Sequence, residues 1–207
     1  MRLEIASHKA IKYACINFHY AKAIPVNTIG FNVFNNKKEW CGVILYGSGA
    51  NNNLPKPYGL VSGQAVELVR MALNGKQEST SKAMALSLKL LPKLLPLCKL
   101  VVSYADIDQN HFGTIYQATN WYYEGETNKG MRTGFIINGK KTHNKTVHSK
   151  GVIQSLDEVR KHLDKNAEPY ITKGKRKYIY PLTKDMLNLC KSLAKPYPKK
   201  EQQAQEV

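Results

Sequence analysis

The feature that most limits the architecture is the run at residues 97–104 (LCKLVVSY) and the polar cluster that follows it at 105–111 (ADIDQNH). A short apolar, β-rich run of this kind reads as a strand buried on both sides. Such a strand sits inside a sheet that helices cover above and below, which points to a mixed α/β architecture. The abrupt change to Asp, Gln, Asn and His places titratable groups at the strand's C-terminal end. Ligands of α/β sheets bind there.

The surrounding segments agree with that architecture. Ser7 offers an N-cap for a helix running to about residue 21, with Ile11, Cys15 and Phe18 on one side at spacings of three and four. Residues 28–34 and 40–46 read as two strands of a hairpin joined by the turn Asn35-Asn36-Lys37-Lys38. The segment 47–63 (GSGANNNLPKPYGLVSG) is a loop of a length more often functional than idle, and Asn51 to Asn53 are suited to closing a pocket or bonding a base edge through their amides. Residues 65–73 (AVELVRMAL) fit either a strand or a helix. Ser79, Thr80 and Ser81 can cap a helix that begins at Lys82 and is stopped by Pro92. Further on, the pattern predicts a short helix at 113–120, a strand at 121–126, a hairpin around 135–144, a helix at 155–165, a basic strand at 173–180 and a helix after Thr183. The residues from 195 onward are polar and are expected to fray.

Charge narrows the partners. The 207 residues carry 31 Lys and Arg against 15 Asp and Glu, a formal net charge of +16. The excess is uneven: residues 1–128 hold 13 basic and 8 acidic side chains, whereas 129–207 hold 18 and 7. A polyanionic partner or a phosphate-rich cofactor is expected, beside the plain alternative of a soluble basic surface. No segment reaches the roughly 20 apolar residues that span a bilayer, because Lys89, Lys93, Lys99, Pro92 and Pro96 interrupt the most apolar stretch. No signal-peptide pattern opens the sequence, and no membrane partner is expected. Cys15, Cys41, Cys98 and Cys190 show no C-x-x-C pair or zinc spacing, so reduced structural thiols in a cytoplasm are expected. Walker, G-x-S-x-G, H-E-x-x-H and Rossmann glycine patterns are all missing, which removes several enzyme classes.

Several motifs in order carry a resemblance. FHYAKAIP at 18–25, GVILYGSGANNNLPKPYGL at 42–60, VELVRMAL at 66–73, STSKAMALSLKLL at 79–91, YADIDQNHFGTIYQATNW at 104–121, GKRKYIYPL at 174–182 and KPYPKK at 195–200 together resemble the Mom DNA-modification proteins of Mu-like bacteriophages. The resemblance implies a GNAT-like fold, with a mixed central β-sheet flanked by helices. It implies conversion of adenine in double-stranded DNA to an N6-carbamoylmethyl (acetamido-type) adenine, which shields phage DNA from host restriction. It places weight on His19, Tyr20, Asp106 and Tyr116 as catalytic residues and on Arg70 and Ser81 for an acyl-CoA donor. Tyr20 and Asp106 are the positions it links to an iron ion. One segment departs from the GNAT pattern: GKQESTSK at 75–82 does not match a glycine-rich pyrophosphate loop, which leaves ordinary acetyl-CoA chemistry open.

The residues themselves are compatible with that assignment and less specific. A helix opening at Ser79–Ser81 beside Lys82 presents unpaired N–H groups that could hold a diphosphate, or is simply a capped helix. Arg70 lies in an apolar run and needs an anion: Glu67, Asp106 or a cofactor phosphate. Asp106 could bind a hard metal, orient a base or accept a proton, whereas Asp108 reads as a turn residue bonded to its own backbone. Neighbours on a helix point about 100° apart, so His19 and Tyr20 share an ion only at a helix end or bend. Tyr116, Trp121, Tyr122 and Tyr123 could stack a base or form core. Lys173, Lys175, Arg176 and Lys177, interleaved with Tyr178 and Tyr180, suit a DNA backbone. His143 and His148 read as solvated or DNA-facing. The chain thus divides on expectation into a catalytic core at 1–128, a basic extension packed on it at 129–195 and a frayed tail at 196–207. A conventional N-acetyltransferase and a non-catalytic DNA-binding protein are the rival readings.

Overall fold

A computed structural model describes residues 1–49 and 53–199. Two compact units emerge: the first holds residues 1–105, 112–125 and those from 177 onward, and the second holds 106–111 and 126–176. The boundary expected at 128 therefore falls elsewhere. The strand and helix after residue 176 bury Ile179, Met186 and Cys190 with Leu100 and Val102, which makes them part of the first unit's core.

The first unit is built on a seven-stranded sheet of order β1-β2-β3-β4-β5-β10-β6, with β1 Arg2–Ile5, β2 Thr28–Phe34, β3 Trp40–Gly47, β4 Ala65–Leu73, β5 Leu100–Asp106, β10 Lys175–Pro181 and β6 Tyr122–Thr127. Pairs from β1 to β4 are antiparallel, and β4 runs parallel to β5. Helix α1 (His8–Asn17) packs Ile11, Ala14 and Cys15 on Val43, Leu45 and Ala72. The alternate β3 residues Ile44 and Tyr46 face α2 (Thr80–Leu94) through Ala83, Met84, Leu88 and Leu91. Strand β3 is thus apolar on both faces, as a helix-covered central strand must be. Helix α6 (Lys184–Leu193) covers Leu100 and Val102, and the short α3 (Thr114–Gln117) packs on the α2 side.

Several expectations change at element ends. Ser7 caps α1 as its position suggests, but the helix stops at Asn17 because Phe18 turns to pack on Tyr13 and Trp40. Helix α2 starts at Thr80 behind the Ser79 cap and runs through Pro92 to Leu94. The proline removes one N–H, yet Leu95 N–H still reaches Leu91 O at 2.8 Å. The stretch at 195–197 is tied down: Lys195 N–H donates to Tyr123 O at 2.7 Å and the Tyr197 hydroxyl to Trp121 O. Strand β1 has no counterpart in the sequence reading.

The second unit is a three-stranded antiparallel sheet of order β8-β7-β9 (Lys140–His143, Arg132–Ile137, Glu168–Ile171). Helices α4 (Asn144–Ser149) and α5 (Leu156–His162) pack Val147 and Val159 on Phe135 and Ile137. The expected hairpin and the 155–165 helix are both present, whereas β9 and α4 lack a sequence signal strong enough to find them.

Close strand approach in the first sheet has one severe steric consequence. Gly42 sits at φ +123°, and a Cβ there would lie 2.0 Å from Ala72 O on β4. Gly42→Ala is expected to destabilise the protein by about 2–4 kcal/mol. Thermal unfolding followed by circular dichroism would show it as a drop of several degrees, and an unchanged midpoint would contradict the close approach.

Candidate active site

The parallel pairing of β4 and β5 is short. It joins Ala65, Val66 and Glu67 to Leu100, Val101 and Val102, and beyond Glu67 the two strands carry no further paired residues, although β4 continues to Leu73 and β5 to Asp106. The parting starts where β4 meets β3 irregularly. Leu45 pairs with Arg70 and Tyr46 with Leu68, which leaves Val69 as an extra residue on β4. Such a bulge inverts the alternation after it. Val66 and Leu68 therefore face the α2 side, while Ala72 turns to the α1 side.

Ser103 spans the start of the parting. It is 1% exposed, and its hydroxyl donates to Leu68 O at 3.1 Å. Its single proton being spent there, the Tyr116 hydroxyl donates to Ser103 Oγ at 2.9 Å. The Tyr116 ring stacks on Tyr178 at 4.7 Å and meets the fully buried Trp121 edge-on at 5.2 Å. Burial pushes the Tyr116 hydroxyl up to about 12, with Glu67 and Tyr20 close enough to add to the rise. At neutral pH Tyr116 keeps its proton and spends it on Ser103 Oγ. Glu67, at the last paired position, lies against Gly49, where an added Cβ would sit 2.0 Å from Glu67 Oε2.

His19 and Tyr20 follow the end of α1, so the helix end that the pair needs is present. Their rings stack at 4.3 Å, His19 Nδ1 accepts from Ala21 N–H at 3.1 Å, and Tyr20 is 57% exposed. Arg70 finds neither Glu67 nor another carboxylate of its unit as an ion-pair partner among the described residues. Its guanidinium donates to Ala23 O and lies beside the Cys15 thiol, and its buried Nε has no hydrogen-bond partner. The bulge at Val69 explains this, since it carries Arg70 toward α1.

At the start of α2, Ser79 Oγ accepts from Lys82 N–H at 3.2 Å and shares a 3.0 Å hydrogen bond with Ser81 Oγ. The N–H groups of Thr80 and Ser81 have no partner within the helix. The segment before it is fixed to the β2–β3 turn through Glu78 Oε1, which accepts from Asn36 N–H at 2.6 Å, and through Asn35 Nδ2, which donates to Lys76 O at 3.2 Å. A rigid capped helix start thus replaces a glycine loop, and it suits a diphosphate together with the Lys82 ammonium. Of the Asn51–Asn53 expectation, Asn51 and Asn52 lie outside the described residues.

Asp106 belongs to the second unit, where the two aspartates exchange their expected roles. Asp106 Oδ1 accepts from Asp108 N–H at 2.9 Å and caps the turn Ile107–Gln109. Asp108 instead reaches across the unit, accepting from the Thr172 hydroxyl at 2.6 Å and Lys173 N–H at 3.2 Å. Burial pushes the Asp108 carboxyl up, but those bonds, Tyr170 and the Lys141 charge outweigh it and hold it below the usual range. Tyr20 and Asp106 thus stand in different units. Among the described residues no three His, Cys, Asp or Glu side chains cluster as metal ligands, so neither unit alone offers an iron site built from such side chains.

The basic cluster divides. Lys173 and Lys175 are exposed, and Arg176 donates to His111 O at 2.9 Å. Lys177 is spent inside the first unit, 3.0 Å from Glu124 Oε1 and over the Tyr58 ring. Trp121 is core. Ser103 and Glu67 are the contributors that the sequence reading left out of the site, and a polar serine inside LVVSYAD was the available signal for the first.

A model of the Mom protein family matches residues 1–199. No curated protein matches. Among solved structures, one single-residue variant of spermidine N-acetyltransferase SpeG from Vibrio cholerae aligns with TM-score 0.51 at 8% identity, covering 87% of this chain and 95% of that one. A second variant aligns with TM-score 0.52 at 7% identity, covering 91% and 97%. A chimera of that enzyme with hSSAT aligns with TM-score 0.51 at 10% identity, covering 91% and 99%. At such identities the likeness concerns the fold, and it agrees with a GNAT-like mixed sheet flanked by helices. No helix among the described residues is long and apolar enough to cross a membrane.

The Ser103 junction makes an ordered prediction. Tyr116→Phe removes one donor and leaves Ser103 bonded to Leu68, costing about 1 kcal/mol, whereas Ser103→Ala strands both a buried hydroxyl and a carbonyl and costs about 2–4 kcal/mol. Denaturant unfolding of the two variants would test the order. A pH effect accompanies it. Tyr116 keeps its proton in the folded state to about 12, while the unfolded chain releases it near 10, so folding is favoured below pH 10 and weakens as pH rises through 10 to 12. Tyr116→Phe should flatten that alkaline decline, and an unchanged slope would contradict the burial of the hydroxyl.

Proposed function

The chain belongs to the Mom protein family, and from that premise we propose that it is a group-transfer enzyme acting on the N6 amine of adenine in double-stranded DNA, leaving a carbamoylmethyl-type substituent that protects the DNA from restriction. The observation that carries the reading is the family match over residues 1–199, and the parting of β4 and β5 beside Tyr116 supports it.

An acyl-CoA or related donor would carry the two-carbon unit. Because a carbamoylmethyl substituent is joined through CH2, the amine must displace the donor's leaving group from a methylene that already bears the carboxamide, and the amine's proton must pass to a base. The α2 start, with the N–H groups of Thr80 and Ser81 and the Lys82 ammonium, is suited to the donor's diphosphate, and the orphaned Nε of Arg70 to a further acceptor. Tyr116, held neutral by burial with its one proton spent on Ser103 Oγ, offers its phenol oxygen as a hydrogen-bond acceptor suited to orienting the adenine amine. Glu67 is the carboxylate next to it that can take a proton from an amine made acidic by attack. Adenine's amine is a weak nucleophile because its lone pair is delocalised, so removing that proton is the part of the chemistry a base must assist. The exposed Tyr20 ring, stacked on the half-buried His19, offers a stacking face for a nucleotide.

DNA binding is assigned to the exposed Lys173 and Lys175 and the neighbouring Arg176. Taking one lysine away from a phosphate should lower the salt dependence of duplex binding by about one counterion, so Lys173→Ala with Lys175→Ala should reduce the slope of log K against log salt by about two. Lys177→Ala should cost stability instead. Fluorescence anisotropy with a duplex at several salt concentrations measures this.

The deciding experiment is mass spectrometry of nucleosides from DNA of cells producing the protein. A modified deoxyadenosine is expected, falling at least tenfold with Tyr116→Phe or Arg70→Ala. Unmodified deoxyadenosine alone, from folded and abundant protein, would overturn the proposal.

A further inference from the structure

The sheet of the first unit ends at β1, and no described strand pairs with the outer edge of that strand. An open edge presents a row of N–H and C=O groups that templates another strand, and proteins usually blunt it with proline, lysine or a bulge. Strand β1 carries neither proline nor lysine, its register with β2 is unbroken, and Ile5 at its end is 66% exposed. Just past the strand, Ala6 N–H donates to Gly30 O on β2. Backbone groups alternate in direction along a strand, so Arg2 and Glu4 also face β2, while Leu3 and Ile5 aim their N–H groups at the open edge.

The side chains define what fits there. Arg2 and Glu4 lie on one face and form an ion pair at 3.0 Å. Met1, Leu3 and Ile5 lie on the other, where Met1 and Leu3 pack on the core. Alternation limits the antiparallel pairing of two copies of this edge to registers with a two-fold axis through Arg2, Leu3 or Glu4. Centred on Arg2, two guanidinium groups face each other, and centred on Glu4, two carboxylates do. Centred on Leu3, Arg2 of each copy faces Glu4 of the other, Leu3 faces Leu3, and Met1 faces Ile5. Like charges directly opposite destabilise a strand pair and opposite charges stabilise it, so the charges select the Leu3 register.

That register also suits the backbone. Leu3 exchanges both N–H···O bonds with its counterpart, and Ile5 N–H meets the Met1 carbonyl of the other copy. The remaining groups of that pair, the Met1 amine and the Ile5 carbonyl, are already held within their own copy by the side chains of Asn36 and Asn32. The exposed Ile5 side chain gains Met1 as a cover. Helix α1 buries its residues on β3 and β4 rather than across β1. We propose that the protein self-associates as a symmetric dimer through β1, joining two sheets edge to edge around an axis at Leu3. The patch is the same on both copies, as a two-fold interface requires, and its small size sets a dissociation constant in the micromolar range.

Sedimentation equilibrium of the full chain, freed of nucleic acid, tests the pairing. At about 100 µM the unaltered protein is expected to approach twice the 23.4 kDa of one chain, and to fall toward the single-chain mass near about 1 µM. Arg2→Glu and Glu4→Arg each set like charges opposite one another and should weaken self-association about tenfold or more. Mixed in equal amounts, the two variants should associate with each other about as tightly as the unaltered chain does with itself, because the acidic edge of one meets the basic edge of the other. An ion pair that acts only within a chain gives no such rescue. A chain carrying both substitutions should dimerise with itself yet fail to exchange with the unaltered chain, and it carries the test if circular dichroism shows a single variant unfolded. A single-chain mass at about 100 µM, a dimer that either reversal leaves intact, a mixture that stays monomeric, or free exchange between doubly substituted and unaltered chains would each overturn the proposal.

Discussion

One serine holds the arrangement on which the candidate site depends. Parallel strands that part would leave backbone groups without ladder partners, and each such group buried away from water costs on the order of 1–3 kcal/mol. Ser103 meets the first of them by donating to Leu68 O, and its oxygen then becomes the acceptor that fixes Tyr116. A single hydroxyl therefore closes the ladder and orients the phenol. The bulge at Val69 does the rest, since an extra residue on β4 twists the strand away from β5 and reverses which face Arg70 presents. Opening, phenol and guanidinium placement all follow from two adjacent irregularities in one strand pair.

The start of α2 shows how the same demand can be met by different means. Anion-binding turns before helices commonly use glycine so that backbone can approach the ligand closely. Here the turn is held from behind, through Asn35 and Glu78 to the β2–β3 turn, and Ser79 takes one N–H for the cap. Two helix N–H groups and a lysine remain for an anion. Residues 75–82 thus form a laterally braced turn without the glycine pattern, and its geometry suits a diphosphate.

How much of this could be read in advance depended on the range of the interactions involved. The strands at 28–34 and 40–46 were legible because apolar periodicity and turn chemistry are local, and the two serine caps because an N-cap acts within three residues, whereas 65–73 fitted a helix as well as the strand it forms. Helix α1 overran its true end because Phe18 leaves the helix for Tyr13 and Trp40, and the Trp40 packing is made by another element. Glu67 drops out as the partner of Arg70 for a similar reason: a bulge depends on the register with β3, which a single strand's sequence does not encode. The exchange of roles between Asp106 and Asp108 turned on Thr172, sixty-four residues away. Long-range pairing decided each miss.

The division of charge sharpens for the same reason. A basic strand at 173–180 invites a uniform reading as a nucleic-acid surface, yet its residues alternate in side and in environment. Lys173 and Lys175 point outward, Arg176 is turned onto the His111 carbonyl, and Lys177 is spent against Glu124 and the Tyr58 ring. A paired, half-buried ammonium has little left to release counterions from a phosphate, whereas an exposed one has all of it. Local sequence charge therefore overstates the cationic surface, and two lysines and the neighbouring arginine, rather than four equivalent cations, are what this stretch leaves for an anionic partner.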